Sequence, residues 1–177
     1  MRGDLKGTSR PGSKNNKYII MKLNIGDIAP KITLLDQHGK PQDLAKYKGQ
    51  WVLVYFYPKD DTTGCTIEAC SIRDGFPKFG KLTAVVLGIS ADSVASHKKF
   101  ADKYALPFLL LSDEAHTVLE AYGVWAKKKF MGREYLGILR TSFLIDPKGR
   151  IAKIYEQVKP PTHAGEVLAD LEKITSN

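Results

Sequence analysis

Apolar residues along this chain fall into short blocks separated by polar, Gly- and Pro-containing punctuation. Trp51–Tyr57 (WVLVYFY) is continuously apolar, rich in β-branched and aromatic residues, and bounded by Gly49 and Pro58. That pattern predicts a strand buried on both faces. Thr83–Ile89 is a second block of the same kind. A helical pattern beginning near Gly64 lies between them, so the three predict a βαβ unit with parallel strands and a right-handed crossover. Gly75 and Pro77 predict that this helix stops early and is short.

Farther along, Ser93–Tyr104 reads as a helix with Val94, Phe100, Ala101 and Tyr104 apolar and Ser93 as N-cap. Phe108–Leu111 reads as a short strand, and Ala115–Tyr122 as a helix capped by Ser112 or Asp113. Thr141–Asp146 and Arg150–Glu156 predict two strands joined through Asp146-Pro147-Lys148-Gly149. A last helix over Ala164–Ile174 carries Val167, Leu168, Leu171 and Ile174 on one face. Upstream, Ile32, Leu34 and the turn Asp36-Gln37-His38-Gly39-Lys40 predict an N-terminal β-hairpin. This order predicts an α/β chain of thioredoxin-like fold, with a mixed central β-sheet flanked by helices.

Composition narrows the class. The 177 residues, 43% apolar and 26% charged, suit one soluble globular domain. No apolar run approaches the ~20 residues of a membrane span. The net charge of +8 is uneven: residues 1–22 hold six cations against one acid, and the rest is only mildly basic. Residues 1–20 read as a disordered basic extension and 21–177 as the folded domain, Met21 opening it like a native start. The arm lacks a secretory apolar core. A weak organelle-targeting reading exists, but a solvated tail is the plainer one, and no specific nucleic-acid or membrane partner is expected. Two cysteines do not make a disulfide scaffold. They suggest a reducing, cytoplasmic setting in which a thiol pair is more often reactive than structural.

The two are Cys65 and Cys70, in the helix that follows the first strand. At about 100° per residue, Cys65 shares a face with Ala69 and Ile72, while Cys70 lies about 140° away with its Cα roughly 8–9 Å off. A disulfide needs Cα atoms within about 7 Å. If the pair bonds, part of the helix must unwind. Metal binding is a poor reading, because His38, His97, His116 and His163 are scattered and suit surface or capping positions. From the residues alone, chemistry and two small buried thiols stand near even. Context favours chemistry: Cys65 falls in the first helical turn, where free N–H groups and the dipole favour thiolate. Thr62 is placed to cap the helix or bond the sulfur, and Pro58 to shield the backbone.

At Pro58, Thr62 and Cys65 the chain resembles the peroxiredoxins, whose active-site pattern is Pro-xxx-Thr/Ser-xx-Cys. The longer YFYPKDDTTGCTIEAC is similar to the bacterioferritin comigratory protein (PrxQ-type) subfamily, which often carries a second cysteine five residues on and an acid at the place of Glu68. Thr63 departs from the proline many members have there, which affects loop stiffness more than chemistry. Lys98-Lys99-Phe100 through Asp113, Tyr122-Gly123-Val124-Trp125 and Gly137–Asp146 also fit, so the likeness spans about residues 21–174.

The resemblance implies a thiol-dependent peroxidase for hydrogen peroxide and organic hydroperoxides. Cys65 would be the peroxidatic thiol passing through a sulfenic acid, Cys70 the resolving thiol, and Cys65–Cys70 the disulfide. It implies no metal, no other cofactor, a thioredoxin or glutaredoxin reductant, and a chain that works as a monomer. The family's catalytic arginine falls on Arg140. The residues themselves say only that Arg140 precedes a buried strand and needs a partner; a strand-end surface arginine is the plainer reading. Gly64, Glu68 and Trp125 are further candidates on the substrate side. For Glu68 a surface acid, for Trp125 a packing role and for Lys127-Lys128-Lys129 a solvated face are the plainer readings.

Overall fold

Residues 22–177 are described by a computed structural model; the basic extension read at residues 1–20 lies outside the described residues. Strands β1 (Thr33–Asp36) and β2 (Pro41–Asp43) form the expected hairpin, followed by a 3-10 turn at Leu44–Tyr47. Then come β3 (Trp51–Phe56), α1 (Thr63–Lys81), β4 (Ala84–Ser90), α2 (Val94–Tyr104), β5 (Leu109–Ser112) and α3 (Thr117–Ala121). The chain ends with β6 (Trp125–Phe130), β7 (Arg133–Ile138), β8 (Thr141–Ile145), β9 (Ile151–Tyr155) and α4 (His163–Thr175).

Seven strands make one mixed sheet in the order β2-β1-β5-β4-β3-β8-β9. β3, β4 and β5 run parallel, while β8 pairs antiparallel with β3 and β9, and β1 with β5. The continuous apolar run of β3 is explained by its two neighbours and two covered faces. Leu53, Tyr55 and Tyr57 point into a core shared with α1, α4 and Phe100 and Ala101 of α2. Val52, Val54 and Phe56 point into a second core shared with Val118 and Leu119 of α3. This is the alternation of a strand read on both sides. Among the described residues no helix is long and apolar enough to cross a membrane.

Two expectations need correction, and one element has no counterpart among them. Helix α1 does not stop at Gly75 or Pro77; it continues to Lys81, with Pro77 inside. Buried Phe79 and half-buried Phe76 pack on the first core and carry the helix past the proline. Gly75 is a contact point with α4, since a Cβ there would lie 3.2 Å from Leu168 Cδ1. The helix read at Ala115–Tyr122 is only Thr117–Ala121, with the Asp113 carboxylate accepting from the Thr117 and Leu119 N–H groups. The hairpin β6–β7 was not foreseen. It forms its own two-stranded sheet around a turn at Met131 and Gly132, both with positive φ.

Candidate active site

The loop after β3 delivers Cys65 into the first turn of α1. Thr62 is the N-cap, with extended backbone (φ −93°, ψ 158°), and no acid stands in that turn. The Thr66 N–H donates to the Thr62 carbonyl at 2.8 Å, which starts the helical ladder. The N–H groups before it have no ladder partner and point out of the helix start. Thr62 holds the N-cap position without a side-chain capping bond, and its hydroxyl donates to the Lys59 carbonyl at 2.9 Å rather than to the sulfur. Pro58 sits half-buried two residues past the end of β3.

Cys65 is 1% exposed and belongs to the first core, with Ala69 and Ile72 on the same helix face. Cys70 is partly exposed, and both thiols are free. The helix is unbroken between them. The separation in facing expected from helical geometry is thus present.

Arg140 closes over the thiol from the junction of β7 and β8. One terminal nitrogen, Nη2, donates to Cys65 Sγ at 3.3 Å; the other, Nη1, donates to Glu68 Oε2 at 2.5 Å. The burial of Arg140 opposes its charge, but Glu68 and Cys65 outweigh that and hold its proton more firmly than usual. Gly64 permits the approach: a Cβ there would lie 3.1 Å from Arg140 Nη2.

Glu68 is not the surface acid it resembled. It is fully buried, Oε2 meets Arg140, and Oε1 has no hydrogen-bond partner among the described residues. Burial raises its pKa to about 7, with Arg140 pulling the other way. The neighbouring Tyr55 hydroxyl is also buried and unpaired. Burial, then Glu68 and Cys65, raise its pKa well above the phenol range.

Two histidines also depart from the surface or capping reading. His163 is buried, its Nε2 lies 2.8 Å from Ser142 Oγ, and burial together with Arg140 lowers its pKa to about 4. His97 is buried against Asp60. His116 does occupy the N-cap position of α3, and His38 is exposed. Trp125 stacks on His116 with centroids 3.9 Å apart and packs on the second core, whereas Cys65 belongs to the first. Lys128 turns inward from the basic run. It donates to the Ile138 carbonyl at 3.0 Å, and burial and Arg140 lower its pKa, against a raising influence of Cys65.

The arrangement is a buried thiol at a helix start with a guanidinium on its sulfur, a setting that stabilises thiolate and negative charge developing beside it. The model of the AhpC/TSA family matches residues 25–154. Peroxiredoxin Bcp of Bacillus subtilis (strain 168) is 46% identical over 155 residues, covering 88% of this chain and 99% of that protein. Peroxiredoxin Bcp of Escherichia coli (strain K12) is 49% identical over 146 residues, covering 82% and 94%. A solved structure of the Xanthomonas campestris bacterioferritin comigratory protein, described for its alkyl peroxide reduction activity, superposes with a TM-score of 0.77. It is 37% identical and covers 81% of this chain and 91% of its own.

Proposed function

This chain belongs to the AhpC/TSA family and is a peroxiredoxin of the Bcp/PrxQ type, a thiol-dependent peroxidase; on that premise we propose that Cys65 is the thiolate that attacks peroxide and Cys70 the thiol that resolves it. The observation that carries the reading is the Arg140 guanidinium 3.3 Å from Cys65 Sγ, at the first turn of a helix. Thiolate sulfur takes the near oxygen of ROOH, the O–O bond breaks, and RO⁻ leaves and is protonated to ROH. Cys65 is then a sulfenic acid. Arg140 and the free N–H groups of the helix start hold the oxygens in line with sulfur and stabilise the leaving charge.

Cys70 next attacks the sulfenic sulfur; the S–O bond breaks, the departing hydroxide takes the proton that the Cys70 thiol gives up and leaves as water, and a Cys65–Cys70 disulfide forms within the chain. The turn between them must unwind for this. A dithiol protein, thioredoxin or glutaredoxin, returns the pair to thiols by exchange and is itself oxidised. With the resolving thiol on the same chain a monomer suffices, and hydrogen peroxide and organic hydroperoxides are both substrates. The thiol pair suits a reducing, cytoplasmic setting.

Peroxide consumption by three proteins tests the reading. Cys65→Ser is expected to consume none. Cys70→Ser is expected to consume one equivalent and stall as a sulfenic acid that dimedone traps. Full turnover by Cys65→Ser would remove the assignment.

A further inference from the structure

A second buried polar group stands on the other side of the loop that delivers Cys65, and the mechanism above does not use it. Its centre is Asp60, in the loop between β3 and α1. Oδ1 of Asp60 accepts from the Tyr57 hydroxyl at 2.6 Å, and Oδ2 accepts from the Ser96 hydroxyl at 2.7 Å. Oδ2 also faces His97 Nδ1 at 2.8 Å, and the Asp60 N–H donates to Asp92 Oδ2 at 2.9 Å. His97 has no exposed surface, and its Nε2 lies 3.0 Å from the Leu111 carbonyl.

A carbonyl oxygen brings no hydrogen, so Nε2 carries one toward Leu111. Nδ1 faces the Asp60 carboxyl and also lies 3.3 Å from the Tyr57 hydroxyl. A buried pair whose polar atoms are all hydrogen-bonded escapes the cost of an isolated buried charge. Asp60, Asp92 and His97 have the composition of a metal site, with ligand atoms within 4.8 Å of one another. Hydroxyl and amide donors already occupy those carboxyl oxygens, and a carbonyl takes the far ring nitrogen.

The next residue adds an independent sign. Asp61 has φ +55°, in the left-handed region that few residues other than glycine, asparagine and aspartate adopt. Its carboxylate is held by Lys103 Nζ and the Tyr104 hydroxyl, each at 2.7 Å. Every one of these partners except Tyr57 and Leu111 sits on α2 or in the turn that leads into it. Four residues after Asp61 comes Cys65.

We propose that Asp60 and His97 are positioning residues for the peroxide reaction: their buried pair fastens the loop to α2 and so fixes where α1 begins and how Cys65 meets peroxide. This rests on the reading of Cys65 as the attacking thiol. The pair touches neither sulfur nor peroxide. It sets the alignment of thiol, helix N–H groups and Arg140 around the two peroxide oxygens, which peroxide reduction needs and alkylation by iodoacetamide, with no such oxygens to hold, does not.

The test compares two rates in the Cys70→Ser background, oxidation by hydrogen peroxide and alkylation by iodoacetamide. Asp60→Ala and His97→Phe are expected to lower the peroxide rate constant at least tenfold and the alkylation rate less than threefold. Asp60→Asn keeps the shape and the capacity to hydrogen-bond Tyr57, Ser96 and His97 and is expected to restore the peroxide rate to within about threefold, since misplacement rather than charge is what costs rate here. Val118→Ala, in the core on the far face of the sheet, serves as the control for lost stability and is expected to keep both rates. Unchanged peroxide rates in folded Asp60→Ala and His97→Phe overturn the proposal. So does an equal loss of both rates, which would place the effect on the thiol itself. If those two variants do not fold, Ser96→Ala decides in the same terms: a loss confined to peroxide supports the proposal, and equal rates overturn it. Turnover by Cys65→Ser would instead remove the reading of Cys65, and the proposal with it.

Discussion

Two buried carboxylates flank Cys65, one before it and one after, and they are furnished in opposite ways. Asp60 has two hydroxyl donors and a histidine on its oxygens, and its own N–H is held by Asp92. Glu68 has Arg140 on one oxygen and nothing on the other, and its pKa rises to about 7. What separates them is hydrogen-bond satisfaction: a fully partnered buried acid anchors backbone, and a half-partnered one stays close to exchanging its proton. The first holds the loop still, and the second holds the guanidinium that touches the sulfur.

That contrast can be broken from either side. The largest effect is expected at Arg140, the group Glu68 supports. Arg140→Met should cut kcat/KM for peroxide by about 10²–10³-fold, the range for removing one stabiliser of developing negative charge; it also leaves Glu68 buried without its partner, so melting temperature should fall as well. A loss below threefold would detach Arg140 from the chemistry. Next is Asp60→Ala, which leaves His97 buried without its partner. It should destabilise the fold by about 3–5 kcal/mol in urea denaturation, as for one member of a buried pair. An effect below 1 kcal/mol would mean that Asp60 is not an anchor.

Glu68 should instead show itself through pH. Its pKa is about 7 when folded against a reference of 4.5, so the folded state binds the proton more tightly. Its contribution to stability is therefore full below about pH 4.5 and is lost as pH rises through about 7. Glu68→Gln should flatten that part of the urea-midpoint profile. An identical slope in both proteins would assign the pH dependence to other groups. The smallest effect is expected at Gly64. Gly64→Ala puts a Cβ 3.1 Å from Arg140 Nη2 and should slow peroxide oxidation several-fold. Stability should stay level or rise by up to about 1 kcal/mol, because alanine suits a helix better.

Local periodicity made much of the frame legible. β3, α2, β8 and β9 fall close to the blocks that predicted them, because each buries a regular face. Where the pattern carried no core signal it failed. β6–β7 is largely exposed, with Phe130 and Met131 at 67% and 87%, so neither strand shows a buried stripe. Pro77 misled because its local penalty is real, but contacts of Phe76 and Phe79 outweigh it. The position of Cys65 in a helical first turn was readable from strand, loop and helix in sequence. Its surroundings were not. Glu68 meets an arginine 72 positions away, and His97 an aspartate 37 positions away. Such partners decide burial and protonation, and no short window of sequence contains both members.

The central claim is that the intact helix keeps two thiols of one reactive pair apart until oxidation brings them together. The most direct measurement adds one equivalent of hydrogen peroxide to the reduced wild-type protein, counts free thiols, and maps any disulfide by mass spectrometry after proteolysis without reductant. The account predicts that both thiols disappear and that Cys65 is joined to Cys70 within a single chain. One thiol remaining, or a disulfide joining two chains, would contradict it.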